Sequence, residues 1–480
     1  MLKKIENNFI YILFLIFSIY ILFLNIIGLR EMVVLKVILT IIMSFLLILL
    51  IKKIMLYKNK KYIKIISILL LILDFILMLY LGYKLRVDFS WDYGIVQSDA
   101  INYGINGNIS RENLIYYIKY PNNRLLFATL AVIYRIVNYI LGITAQRYFV
   151  YVSIIIGSFL ITLSYFLTYL LAKKYKDENF GLVVLIILSL MIPLLSYSAI
   201  LYSDTPSLFF FPLILLLYLK YKDNKKLIYL LLISIISVIG FEIKATIIFA
   251  FLAIIVDIIC NNKFIDVLKR VFIMLIIFVI AHLIFSTSMN KVLKITDSDI
   301  DRYNVPYTHF VMMTLNESGG FNEDDVVFTN SFNTKKEKTN ENIRVIKERL
   351  NNRGVLGTLH HLFIKKMIRT WTRSDFAISD YINRYPIKKN YLNNIIGESG
   401  DYFKYFKAYT DAYYLIIIIG LIMSYFKKNK DINILIMMII LFLTMFLTIW
   451  ECNSRYVVQL LPIIVLLSLS GWVNTIESRK

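Results

Sequence analysis

Cysteine is nearly absent: Cys260 and Cys452 are the only two in 480 residues. The charge pattern described below assigns them to opposite membrane faces, so no disulfide framework is implied. Histidine is equally sparse. His282, His309, His360 and His361 form no His-x-x-x-His pair, and no Cys-x-x-Cys accompanies them. That argues against a zinc site. The glycines make neither a Walker-type phosphate loop nor a dinucleotide fingerprint. Their pattern argues against an ATP-driven transporter and against an enzyme that takes a nucleotide sugar on a Rossmann domain. Charge is scarce too where the chain is most apolar. Asp74 is the main ionisable exception inside a long hydrophobic run.

What is present is hydrophobicity on a scale no soluble fold needs. Hydrophobic residues make up 59% of the chain, and its mean hydropathy is +0.68. Runs such as Phe9 to Leu29, Phe180 to Leu201 and Ile432 to Trp450 approach or exceed the roughly 20 residues that cross a bilayer. The chain therefore reads as an all-α polytopic membrane protein. Its net charge of +21 is no nucleic-acid signature, because much of it sits in short loops between apolar runs. The first run follows Lys3 and Lys4. Gly28-Leu29-Arg30-Glu31-Met32 suits a signal peptidase poorly, so the run reads as a retained span.

The basic loops fix an orientation. Lys52 to Lys61, Lys173 to Lys176, Lys220 to Lys226, Lys263 to Arg270, Lys427 to Lys430 and the Arg479-Lys480 end all belong on the cytoplasmic side by the positive-inside rule. Between Lys61 and Lys173 lie three apolar stretches, and an even number must cross. The middle one, 125–141, is short and carries Arg135 and Asn138. It is expected to lie in the outer interface. Twelve spans remain, near 9–29, 33–51, 63–83, 147–171, 180–201, 206–221, 227–243, 245–260, 271–289, 409–426, 432–450 and 455–475. Both termini are then cytoplasmic. The organisation is a membrane unit over 1–289 with an outer loop at 84–146, an outer segment at 290–408, and closing membrane helices at 409–480. Within 290–408, Asn340 to Leu350 and Val355 to Trp371 read as helices, whereas Gly319-Gly320 and Asn322 to Asp325 read as loop. Polar connections collect on the outer face, including Tyr202 to Pro206, Gly240 to Lys244 and Glu451 to Tyr456.

The outer loop Val87 to Ala100 holds three carboxylates, Asp88, Asp92 and Asp99, directly after a span. Ionisable groups held at a membrane boundary are costly and invite a functional reading. Asp92 is followed by the aromatic Tyr93 and, eight residues on, by Ala100. Tyr120-Pro121-Asn122-Asn123-Arg124-Leu125 then opens the interfacial stretch. Tyr202-Ser203-Asp204 lies between spans, and Arg455-Tyr456 with Pro462 comes near the end. In this order the chain resembles the GT-C fold membrane glycosyltransferases of the protein O-mannosyltransferase and aminoarabinose-transferase type. It keeps only one proline, Pro121, of the family's Pro-Pro-Leu-Tyr type element, and its important departure is that many members have Asp-Glu where this chain has Asp92-Tyr93.

The resemblance implies a GT-C-like fold with juxtamembrane helices on the outer face. It also implies transfer of a sugar from a polyprenyl-phosphate carrier to a cell-envelope polymer, lipid or protein. Asp92 would be the general base, with Asp88 as the alternative and Asp99 on a helix face. Arg455, Lys244 and Arg124 would hold the donor phosphate, and Asp204 and Tyr456 would complete the site. Simpler roles exist for each. Asp92 could cap a helix, Arg455 could pair with Glu451, and Lys244 could pair with Glu242. Arg124 could anchor the interfacial helix, and Asp204 could cap the span that begins at Pro206. No organic cofactor is called for, since the donor carries its own activation. No metal ligand is assigned, and the missing Asp-Glu pair leaves a divalent metal open. A transporter or flippase of envelope lipid intermediates is the alternative. Transporters, however, favour midplane charges and inverted repeats, and no repeat is visible here.

Overall fold

In lipid every backbone polar group must be satisfied within the chain, which leaves helices as the economical solution for long apolar runs. The computed structural model describes residues 2–29, 31–426 and 431–477. Arg30, Lys427 to Lys430 and Arg479-Lys480 lie outside the described residues. Helix makes up 83% of the structure, and no strand forms among the described residues; Val87 and Pro386 make one isolated bridge.

Three helices open the chain: α1 (Leu2–Ile27), α2 (Val33–Met55) and α3 (Lys60–Leu85). The expected outer loop folds as α4 (Trp91–Asn106), α5 (Arg111–Lys119) and α6 (Arg124–Leu141). Then come α7 (Gln146–Tyr175), α8 (Glu178–Ser189), α9 (Ile192–Ser196), α10 (Asp204–Ser207), α11 (Phe210–Asn224), α12 (Leu227–Ile243), α13 (Ile248–Asn261) and α14 (Phe264–Val292). Segment 290–408 supplies seven more: α15 (Asp297–Tyr303), α16 (Tyr307–Thr314), α17 (Glu323–Asn330), α18 (Lys335–His360), α19 (Lys366–Trp371), α20 (Ile378–Arg384) and α21 (Tyr391–Ile396). The chain closes with α22 (Phe403–Met423), α23 (Asp431–Ile449) and α24 (Leu461–Glu477).

Among the described residues nine helices are long and apolar enough to cross a membrane. A tenth candidate is α8 with α9, which bend by 67° at their break. The chain is a multi-pass membrane protein. α12 and the 245–261 helix are apolar but short, at 17 residues each, and α11 has 15 residues. The stretch 125–141, expected to lie in the interface, belongs to a helical segment over 121–141 that is long and apolar enough to be counted among the nine. Its apolar side chains divide between two faces. Leu126, Phe127, Leu130 and Tyr134 are buried, whereas Val132, Ile136, Tyr139 and Ile140 are exposed.

Burial separates the centre of the bundle from its rim. α24 is almost wholly enclosed. Its close contact with α22 needs small residues, because a Cβ on Gly471 would stand 2.2 Å from the Gly420 carbonyl oxygen. Backbone approach of this kind is how helices associate where no hydrophobic force draws them together. α14 buries only Met274 and Met289 of its 29 residues, and α2 buries only Lys36, Leu47 and Ile51. Their exposed Ile, Leu, Phe and Val side chains are a surface solvated by lipid tails.

The two ends of the bundle differ. At one end lysines pair with acids across loops: Lys173 with Glu178 at 2.6 Å, Lys176 with Glu477 at 2.5 Å, and Lys222 with both Asp257 at 2.8 Å and Asp431 at 3.0 Å. The other end is capped by α4–α6 and by the helices of 290–408. The cap is tied down by Asp88 N–H to the Tyr385 carbonyl (2.8 Å) and by Cys452 N–H to the Gly319 carbonyl (3.0 Å). Two local expectations change. Residues 322–325 are not loop, because Asn322 accepts the N–H of Asp325 and caps α17, whose first turn is acidic. The two helices expected at 340–350 and 355–371 meet at Gly354, whose φ of 65° kinks α18.

Candidate active site

The site is built around the start of α4. Asp88 turns the chain there by accepting the Phe89 N–H at 2.8 Å, and the Gly94 N–H closes the first turn on the Ser90 carbonyl at 2.8 Å. Trp91 sits at φ 47°, an unusual conformation for a bulky residue. Gly94 is required by space: a Cβ there would stand 2.4 Å from the Phe89 carbonyl carbon. This tight corner holds Trp91 against Tyr381 of α20, with ring centroids 4.8 Å apart and nearly parallel. It also sets Trp91 edge-on to Tyr202 at 5.4 Å.

Asp92 follows, partly exposed. Among the described residues its carboxylate makes no hydrogen bond or ion pair. It lies within electrostatic reach of Tyr116, Tyr120, Tyr202 and Glu451. Burial pushes these three phenols up, with Asp92 adding to the effect. Glu451 is likewise raised, first by burial and against the pull of Arg455. It accepts a 2.9 Å hydrogen bond from the Tyr456 hydroxyl. Asn123, just after Pro121, donates to the Tyr116 hydroxyl at 2.7 Å, and its own Oδ1 is buried without a partner.

The cationic half is assembled from three distant segments. Asp204 forms an ion pair with Lys244, and its other carboxylate oxygen lies 3.9 Å from Arg455 Nε. The side chains of Asp204, Lys244 and Arg455 are only 5%, 9% and 15% exposed. The Arg455 guanidinium is ringed by Tyr456 at 5.4 Å, Tyr202 at 5.5 Å, Tyr381 at 5.6 Å and Trp91 at 5.9 Å. Such stacking suits the flat, weakly hydrated guanidinium better than an ammonium. Of its five N–H donors, one makes a hydrogen bond, to the Tyr381 hydroxyl at 3.0 Å. Among the described residues the others make no hydrogen bond, and Nε faces the Asp204 carboxylate. Lys244 lies 5.5 Å from the Tyr456 ring.

Asp92, Asp204, Lys244, Arg455 and Tyr456 thus come together. Two expected members do not join them. Asp88 is exposed, and its side chain serves the turn. Arg124 is buried and directed elsewhere, donating to the Tyr117 carbonyl at 2.8 Å and to Asn290 of α14 at 2.9 Å. It fastens the α5–α6 corner to α14, while its neighbours Tyr120 and Asn123 face the site. Asp99 is buried under the site and accepts a 2.5 Å hydrogen bond from Asn113. Burial raises its carboxyl to about 6. The pairings first considered for the cations also change. Lys244 takes Asp204, leaving Glu242 to His282 at 2.5 Å. Glu451 bonds Tyr456 rather than closing an ion pair with Arg455. Tyr116, Asn123, Glu451 and Tyr381 are among the members that sequence reasoning did not assign. Only Asn123 and Glu451 carried a signal, as neighbours of Arg124 and Arg455. No three His, Cys, Asp or Glu side chains among the described residues are grouped to hold a metal ion.

These features define a class: a multi-pass helical membrane protein with a cluster of buried charged and aromatic side chains at one end. Residues 4–476 match the family described as conserved hypothetical integral membrane protein, and the chain belongs to that family. Among curated proteins none matches the chain.

Proposed function

We propose that the protein is a GT-C-like membrane glycosyltransferase that moves a sugar from a polyprenyl-phosphate carrier to a cell-envelope acceptor. The observation that carries this reading is the convergence of a partnerless carboxylate, Asp92, and an under-bonded guanidinium, Arg455, on one aromatic cluster that includes Tyr202. In the reaction an acceptor hydroxyl or amine attacks the anomeric carbon, and the bond from that carbon to the phosphate oxygen breaks. The lipid phosphate leaves with the electron pair, and Asp92 takes the acceptor proton. Arg455 meets the charge that grows on the phosphate. Lys244 holds Asp204, and Asp204 orients Arg455. Trp91, partly exposed, offers an aromatic surface to the sugar and is backed by Tyr381 and Tyr202. The positive-inside rule puts the lysine-rich end in the cytoplasm and the pocket on the outer face. Twelve crossings satisfy that arrangement, with α4–α6 as juxtamembrane helices.

The test is sugar transfer in membranes holding equal amounts of wild type or Asp92→Asn, supplied with radiolabelled polyprenyl-phosphate sugars. Loss of a proton acceptor should lower the rate by about 10²–10⁴. Full activity in the variant would remove Asp92 as base. No transfer by wild type from any such donor would overturn the reading in favour of lipid transport.

A further inference from the structure

A cavity of about 470 Å³ lies where the C-terminus of α3 meets the start of α7. Arg86, Arg147, Tyr148, Val150, Tyr151 and Ile387 line it. Its cations lack acids. No Asp or Glu oxygen lies within 4.0 Å of Arg86, Arg147 or the adjacent Lys84 among the described residues. They rest on aromatic faces instead. The Arg86 guanidinium is 4.3 Å from the Tyr83 centroid and 5.9 Å from that of Tyr151, and Arg147 is 5.0 Å from that of Tyr148. Tyr83 and Tyr151 stack at 6.1 Å, joining the two helices under the cavity. The backbone is pinned on the far side by the Ile387 N–H to the Arg86 carbonyl at 3.2 Å.

Beyond this cationic rim runs an apolar stripe. On α3, Ile76, Tyr80 and Tyr83 are exposed at helical spacing, and on α7 so are Tyr151, Ile155 and Phe159. A rim of unpaired guanidinium groups above such a stripe is the shape of a single amphiphile. The charge sits at the headgroup and the tails lie along the helices. None of the residues lining the cavity is acidic, so the lining offers no ion-pair partner to the ammonium of a zwitterion. Planar guanidinium donors match phosphate oxygens in pairs.

We propose that the cavity at Arg86 and Arg147 binds the phosphate headgroup of an anionic membrane lipid. The site is separate from the Asp92 pocket and does not depend on the transfer reaction. It is tested with the full chain purified in neutral detergent, following the melting temperature as phosphatidylglycerol, phosphatidylcholine or inorganic phosphate is added. Phosphatidylglycerol should stabilise the wild type where phosphatidylcholine does not. Arg147→Gln should weaken that response at least tenfold. Arg147 is exposed and its one side-chain hydrogen bond is to the neighbouring Tyr148, so this variant keeps the fold. Arg86→Gln added to it should abolish the response. Lys335→Gln with Lys336→Gln, which removes two exposed positive charges from the cap, should leave it intact. An arginine-dependent response to inorganic phosphate alone would support the phosphate site while assigning it to a soluble ligand. Equal stabilisation by both lipids, or equal loss in the lysine control, would overturn the proposal.

Discussion

Replacing Asp204 with Asn tests the electrostatic core of the pocket. The carboxylate is 5% exposed and serves two cations, Lys244 in direct contact and Arg455 at 3.9 Å. Taking its charge away leaves the Lys244 ammonium buried between the Tyr456 ring at 5.5 Å and the like charge of Arg455. Breaking a buried pair by removing one partner costs about 3–5 kcal/mol, whereas replacing both partners by apolar groups is often neutral. Asp204→Asn should therefore lose about 3–5 kcal/mol in equilibrium unfolding from mixed micelles. The double variant Asp204→Leu, Lys244→Met should recover most of that, and a double-mutant cycle closed by the singles Asp204→Leu and Lys244→Met should give a coupling of at least about 2 kcal/mol. Arg455 keeps its hydrogen bond to Tyr381 and its surrounding rings throughout, so the cycle isolates the Lys244 pair. A loss below about 1 kcal/mol in Asp204→Asn, or strictly additive variants, would refute the reasoning. The ion pair would then be open to water and would not organise the site.

Two further outcomes follow from the same geometry. Gly94→Ala places a methyl 2.4 Å from the Phe89 carbonyl carbon. Overpacking against backbone should cost about 1–3 kcal/mol and displace Asp92, measured as a lower melting temperature with reduced sugar transfer. Asp99 carries a carboxyl raised to about 6 by burial, so the folded state holds its proton more tightly than the unfolded chain does. That contribution is fully present below about pH 4 and is lost as the pH rises towards 6. Asp99→Asn should accordingly gain on the wild type across this interval, by up to about 3 kcal/mol, in unfolding measured at several pH values. A constant difference between the two proteins would exclude Asp99 as the titrating group.

Hydropathy and charge placement, both short-range properties, determined the helices, their order and the collection of polar connections at one end. Lysine-rich loops such as 173–176 and 220–226 share one end, joined to acids of neighbouring elements. Tyr202 to Pro206, Lys244 and Glu451 to Tyr456 meet at the other. The Pro121 element was legible as a corner, since proline without an N–H starts a helical turn readily. Which side chains the corner presents was not legible. Arg124 turns towards Asn290, while Asn123 and Tyr120 face the pocket, because the rotation of each helix is set by packing against neighbours far away in the chain. The same reason hid Tyr381, which reaches Trp91 and Arg455 from the cap, and hid the choice of Asp204 over Glu242 as the partner of Lys244. Spacing along the sequence proposed the near acid. Only the tertiary structure brought the far acid, 40 residues earlier in the chain, into contact, and burial made that contact decisive.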